Sequence, residues 1–170
     1  MPLLLKWPGI SAVNTLLVSL DKNEFGIRSS PVVYAGRTFI PKRELHVTVC
    51  GSTLGKRLNQ KFLEDPVIEK LVRQAFEDTD WHYEKTRGLR RLVRPQAGNR
   101  NPEESIIMLV KMEGMARFYS RLKTLDIIPE NHPVPPAHVT LYTYNCELGI
   151  GVHSERDLSE LTVEQIDSLI

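Results

Sequence analysis

Two short stretches of the chain place an imidazole and a hydroxyl at the same offset. Residues 45–49 read LHVTV, and residues 137–141 read AHVTL. Side chains two apart on a β-strand leave the same face. His46 and Thr48 therefore stand side by side in the first copy, as do His138 and Thr140 in the second, with Val47, Val49, Val139 and Leu141 turned toward a core. A single His-x-Thr is a weak signal, because lone histidines are common, but a duplicate in matching apolar surroundings is much stronger. Imidazoles titrate near neutrality, so one can remove a proton while a second supplies one. Threonine hydroxyls donate hydrogen bonds to phosphoryl oxygens, where charge is held during transfer. Those parts suffice to cleave a phosphodiester, and that logic requires no metal.

Other chemistries fit less well. A zinc site needs three or four ligands at helpful spacing. The chain has no cysteine pair at such spacing and no HExxH; His132 lies among prolines and His153 beside Ser154, both in expected loops. The GxSxG elbow of many serine hydrolases is absent. GSTLGK, residues 51–56, departs from the phosphate-binding GxxxxGK[ST] and reads as the exit from a strand. Cys50 has the parity of His46 and Thr48, and reads as a small residue beside a site or in a sheet rather than as a nucleophile. Cys50 and Cys146 make no disulfide framework. No metal and no cofactor are expected.

The elements that must hold the four residues follow from periodicity. Residues 13–20 form a strand candidate, ended by the polar turn DKNEFG, and PVVYAGRTFI around Gly36 suggests a hairpin or an irregular edge. After the strand at residues 45–50, apolar positions from Leu58 to Phe76 recur at helical spacing, with Pro66 dividing the run. Val67, Leu71 and Phe76 are expected in the core. SIIMLVKM, residues 105–112, reads as a central strand, and residues 115–125 as a helix. The proline-rich loop PENHPVPP leads into the second motif strand. Beyond it, GIG at residues 149–151 marks a tight backbone path, and residues 154–161 a short helix. The tail TVEQIDSLI is either a helix capped by Thr162, with Gln165 at its third position, or an edge strand.

Substrate contacts have fewer signals. Tyr142 shares the parity of His138 and Thr140 and is a candidate to stack on a base; Tyr34, Trp81 and His82 are lesser candidates. Residues 85–100, KTRGLRRLVRPQAGNR, carry six basic residues and no acidic one. An ordinary solvated segment mixes signs, so Arg87, Arg90 and Arg91, with Arg94 and Arg100, are candidate contacts for an anionic ligand. The formal net charge of the whole chain is only +1, so any basic footprint is local. Composition, 41% hydrophobic and 25% charged, describes a folded chain rather than a disordered one. The opening MPLLLKWPG has an apolar run far too short for a membrane span or a cleavable leader. A cytoplasmic monomer without membrane association is the expectation.

The paired HVTV and HVTL, one in each half, resemble the signature of the two-histidine phosphoesterase superfamily. That resemblance implies an α+β fold in one bilobal domain over residues 1–170, with pseudo-symmetric lobes at roughly 1–80 and 81–170. Antiparallel sheets would flank a central cleft, and strands can exchange between the lobes. It assigns His46, Thr48, His138 and Thr140 to the catalytic site. It also implies a metal-independent phosphodiesterase acting on RNA ends, on 2′,3′-cyclic phosphate nucleotides or on cyclic oligonucleotides. A non-catalytic RNA or nucleotide binder is the alternative. Which histidine is base and which acid depends on the direction of the substrate in the cleft. The hairpin between the first strand and His46 departs from a tidy β-α-β opening.

Overall fold

In the computed structural model, which describes residues 14–169, each alternating, β-branched run becomes a strand. Strands β1 (Leu16–Leu20), β4 (Leu45–Cys50), β5 (Glu84–Arg94), β6 (Glu103–Lys111), β7 (His138–Tyr144) and β8 (Thr162–Ile166) pair in the order β1-β4-β7-β6-β5-β8. The described pairings are all antiparallel. Strands β2 (Val32–Tyr34) and β3 (Arg37–Pro41) form the expected hairpin, turned at Ala35 and Gly36, both with positive φ as tight hairpin turns require. Strand β3 also pairs with the end of β7. The fold is α+β. Residues 1–9 and Val13, the start of the expected first strand, lie outside the described residues, as does Ile170.

Helices α1 (Ser52–Glu64), α2 (Pro66–Glu77) and α3 (Glu113–Thr124) supply Leu58, Phe62, Val72, Phe118 and Leu122 to a core shared with Val47, Val49, Val139 and Ile106. The other face of the sheet carries a smaller cluster of Leu92, Ile107, Ile150, Val152 and Leu158, the last from α4 (Glu155–Leu161). Pro66 divides α1 from α2 as its fixed φ and missing N–H lead one to expect. It occupies the first turn of α2, and Asp65 caps that helix by accepting from Val67 N.

Several expectations need correction. Helix α1 begins at Ser52, so GSTLGK is mostly helix rather than a strand exit. Gly55 lies inside that helix because a side chain there would meet the Asn14 carbonyl oxygen at 1.7 Å. Val67 and Leu71 are not core: they are 56% and 37% exposed, while Val72 and Ala75 are buried. The run Val67, Ile68, Leu71, Val72 is apolar around too wide an arc to set the helix phase by itself. Phe76 is half-buried and packs on Trp81 with ring centroids 5.0 Å apart. The basic segment is largely strand β5, paired on both sides, and the tail is the edge strand β8. Thr162 therefore caps no new helix; its hydroxyl donates to Leu158 O at the end of α4.

Candidate active site

The two motif strands are neighbours, joined in antiparallel register at Val47 and Val139. Counting outward from that pair sets His46 beside Thr140 and Thr48 beside His138, all four on one face. A local twofold through the valine pair thus exchanges the two motifs. All four residues line a single cleft of about 520 Å³.

The symmetry extends to a backbone irregularity. In β4, Leu16 and Leu17 of β1 pair with Cys50 and Thr48, which leaves Val49 as an extra residue. In β7, Ile106 and Ile107 of β6 pair with Tyr142 and Thr140, which leaves Leu141 extra at the same offset after the threonine. Such a bulge re-aims the side chains that follow it. Each extra residue has its carbonyl satisfied from outside the ladder: Tyr119 Oη donates to Val49 O at 2.7 Å, and Lys42 N to Leu141 O at 2.9 Å.

The bulges overturn two parity arguments together. Cys50 is fully buried in the large core, where burial pushes its thiol up to about 12. It lies in the sheet, on the core side rather than on the cleft face. Tyr142 is 3% exposed on the same core side, and its hydroxyl accepts from Arg28 N, so it presents no face to a base.

The two imidazoles differ in their surroundings. His138 is 8% exposed, and its Nδ1 lies 2.9 Å from Pro136 O. A carbonyl only accepts, so Nδ1 carries the proton in the neutral ring and Nε2 keeps its lone pair. Burial holds the His138 pKa below the ordinary imidazole value; the Pro136 carbonyl opposes that shift and His153 adds to it. The His46 pKa is also lowered, first by burial, then by Lys42 and His138, against a smaller opposing effect of Glu44. A charged His138 thus makes it harder for His46 to carry a proton as well.

The segment after β7 forms a wall of the cleft. Gly149 has φ 89°, and a side chain there would come within 3.1 Å of Thr140 Cγ2. Ile150 N donates to the buried Ser105 Oγ, which fixes the GIG stretch against the sheet. Arg57, Arg94, His132 and His153 also line the cleft, so four of the chain's five histidines meet there. No described lining residue is Asp or Glu. Among the described residues, no three His, Cys, Asp or Glu side chains gather so as to hold a metal ion.

The basic segment divides by face. Arg94 reaches the cleft, while its guanidinium also pairs with Glu103. Arg91 turns to the opposite face, where it bonds Glu104 at 3.0 Å and Glu164 at 3.1 Å; Arg37 bonds the other oxygen of Glu104, and Tyr34 Oη donates to Glu164. Arg91 and Tyr34 are therefore parts of an ion network that ties the hairpin to β5, β6 and β8. Arg87 is exposed and Arg90 half-buried, and neither lines the cleft. Trp81, which donates to Phe76 O, and the exposed His82 are also outside it. Sequence reasoning missed Arg57, which has no local motif. His132 and His153, whose loop positions argue against a zinc site, carry no local signal for the cleft either. Comparison with family models, curated proteins and solved structures finds no match for this chain.

Proposed function

We propose that the protein is a metal-independent phosphodiesterase that acts on RNA-type 2′,3′-cyclic phosphates or related nucleotide phosphodiesters through paired histidines. The observation that carries this reading is the local twofold at Val47 and Val139, which brings two His-x-Thr pairs onto one face with matching bulges. A cleft lined by imidazoles, hydroxyls and two arginines, with no described carboxylate, suits an anionic ligand. On this reading the motif strands are the centres of two related lobes, near residues 1–80 and 81–170. The pairing of β3 with β7 is then the exchange between them.

For a cyclic phosphate, His138 Nε2 removes a proton from water as the water oxygen attacks phosphorus. His46, protonated, donates its proton to the departing ribose oxygen. One P–O bond forms and one breaks, leaving a phosphomonoester beside a free hydroxyl. The hydroxyls of Thr48 and Thr140 donate to the two non-bridging oxygens. Solvent then removes the proton from His138 and returns one to His46.

The test is turnover of a 2′,3′-cyclic mononucleotide and of an RNA oligomer ending in that group, by wild type, His46→Ala and His138→Ala, with and without chelator. Turnover by wild type alone, unaffected by chelation, is the expected result. Loss of activity on chelation and its return with zinc or manganese defeats metal independence. Wild-type turnover in both variants defeats the histidine pair. Unchanged ligand affinity without any cleavage by the parent favours a binding module instead.

A further inference from the structure

His153 is one of two cleft histidines, with His132, that the reaction above does not use. Its ring is seated between two glycines. A side chain on Gly51 would lie 3.0 Å from His153 Cε1 and 3.2 Å from Nδ1, and one on Gly151 would lie 3.1 Å from Nε2. Gly51 has φ −72° and ψ 171°, a backbone that any residue adopts, and Gly151 also lies outside the left-handed region. Both positions thus make room for an imidazole rather than relieve the chain. The backbone is pinned as well: His153 N donates to Asp157 Oδ2 at 2.9 Å, and Asp157 N donates to Ser154 Oγ, the cap of α4. The ring itself makes no hydrogen bond or ion pair among the described residues. An exposed imidazole with both ring nitrogens unbonded among the described residues, on a cleft whose described lining has no carboxylate, is prepared for an anion that arrives with the ligand.

The position of His153 says which anion. The reacting phosphate already has two hydroxyl donors, Thr48 and Thr140, on the local twofold. His153 stands over Gly51, at the start of α1 and beyond the bulge at Val49, and it is near enough to His138 to help lower the pKa of that ring. Thr53 and Arg57, one turn apart on the first turns of α1, also line the cleft. A donor beside the reacting site but off the strand face that carries Thr48 and Thr140 matches the neighbouring linkage of a nucleotide chain rather than a third oxygen on one phosphorus. We propose that His153, with Arg57, recognises a second phosphate, so that the substrate is a nucleotide phosphodiester bearing another phosphate beyond the reacting one. The inference rests on the phosphodiesterase reading for the identity of the substrate, but its binding test does not depend on turnover.

Calorimetric titration with adenosine 3′-monophosphate and adenosine 3′,5′-bisphosphate reads this subsite directly. Wild type is expected to bind the bisphosphate about tenfold more tightly, the size that one charge-assisted hydrogen bond brings. His153→Ala should bring that ratio close to one, and Gly151→Ala should lower it by displacing the ring. His153→Gln, which keeps bulk and a donor, should fall between and covers the case in which the alanine variant does not fold. Equal affinities in wild type, or a ratio unchanged in a folded His153 variant, overturns the proposal. Turnover of a dinucleotide ending in a cyclic phosphate and of a cyclic dinucleotide, side by side, then distinguishes the two sources of such a second phosphate. If the bisphosphate preference stands while no cyclic phosphate is cleaved, the catalytic reading fails and the subsite survives. If cleavage depends on His46 while the ratio is one, the subsite alone fails.

Discussion

His46 and His138 occupy matching places on matching strands, each two residues before a threonine and three before a bulged residue, yet their rings are held differently. The His138 ring is buried and its Nδ1 is tied to Pro136 O, whereas among the described residues His46 has no ring partner and is less deeply buried. A ring whose tautomer is fixed presents a lone pair at a fixed place, which suits a base. A ring without such a tie, with Lys42 and Glu44 nearby, suits a donor to a leaving oxygen. The duplicated frame therefore supplies two similar positions, and the loop before β7 makes them unequal. The proline-rich segment does this because its Pro136 carbonyl, with no ladder partner among those described, is available to the ring.

The largest expected effect tests that inequality. On a cyclic phosphate, alanine at either His46 or His138 should lower kcat by roughly a hundredfold to ten-thousandfold, the range general acid–base groups contribute. On a 4-nitrophenyl phosphodiester, whose leaving group needs no protonation, His46→Ala should recover most of its rate while His138→Ala should not. The reverse pattern exchanges the two roles. Equal loss on both substrates removes the distinction altogether.

A second contrast lies between the arginines of the two faces. Arg37 and Arg91 converge on Glu104, which is only 2% exposed, whereas Arg57 and Arg94 open into the cleft. Removing one member of a buried ionic group leaves its partners uncompensated. Glu104→Gln should therefore lower unfolding free energy by about 3 kcal/mol in a denaturant titration. A change near zero would show that the network is well enough solvated to carry little weight.

The threonines come next in size. Thr48→Ala and Thr140→Ala should each lower kcat by roughly a hundredfold, as loss of one hydrogen-bond donor to developing charge does. Near-equal losses support a phosphorus centred on the local twofold, and a large difference places it off that axis. Steady-state kinetics of the two variants on one substrate reads this.

The smallest effect is on pH dependence. Both imidazoles have pKa values below the ordinary 6.5 in the free protein, through burial first. The base must be neutral and the acid protonated, so the kcat/KM profile should peak on the acid side of 6.5 and fall as pH rises and the acid is lost. A bound phosphate anion favours the charged ring, so the kcat profile should lie at higher pH than that for kcat/KM. Coincident profiles would falsify the contact between phosphate and imidazole.

Much of this molecule was open to local reasoning, and the places where it was not share one cause. Strand β4, the hairpin, the break at Pro66 and the outward pairs His46 with Thr48 and His138 with Thr140 follow from alternation, turn residues and proline geometry. These are properties of a few consecutive residues. The same alternation, carried two residues further, put Cys50 and Tyr142 on the cleft face, and both are in the core. A bulge exists only in relation to a partner strand, so β1 and β6 decided those side chains. The phase of α2 was likewise decided by what packs on it, since Val67, Ile68, Leu71 and Val72 satisfy more than one rotation. Arg91 and Tyr34 were drawn away from the cleft by Glu104 and Glu164, which lie in other strands. By itself the sequence determined the two His-x-Thr pairs and the strands that carry them, because period two is written in neighbouring residues. Only tertiary structure brought those strands into antiparallel contact at Val47 and Val139 and set His153 over Gly51, because each is a meeting of residues that no short-range rule connects.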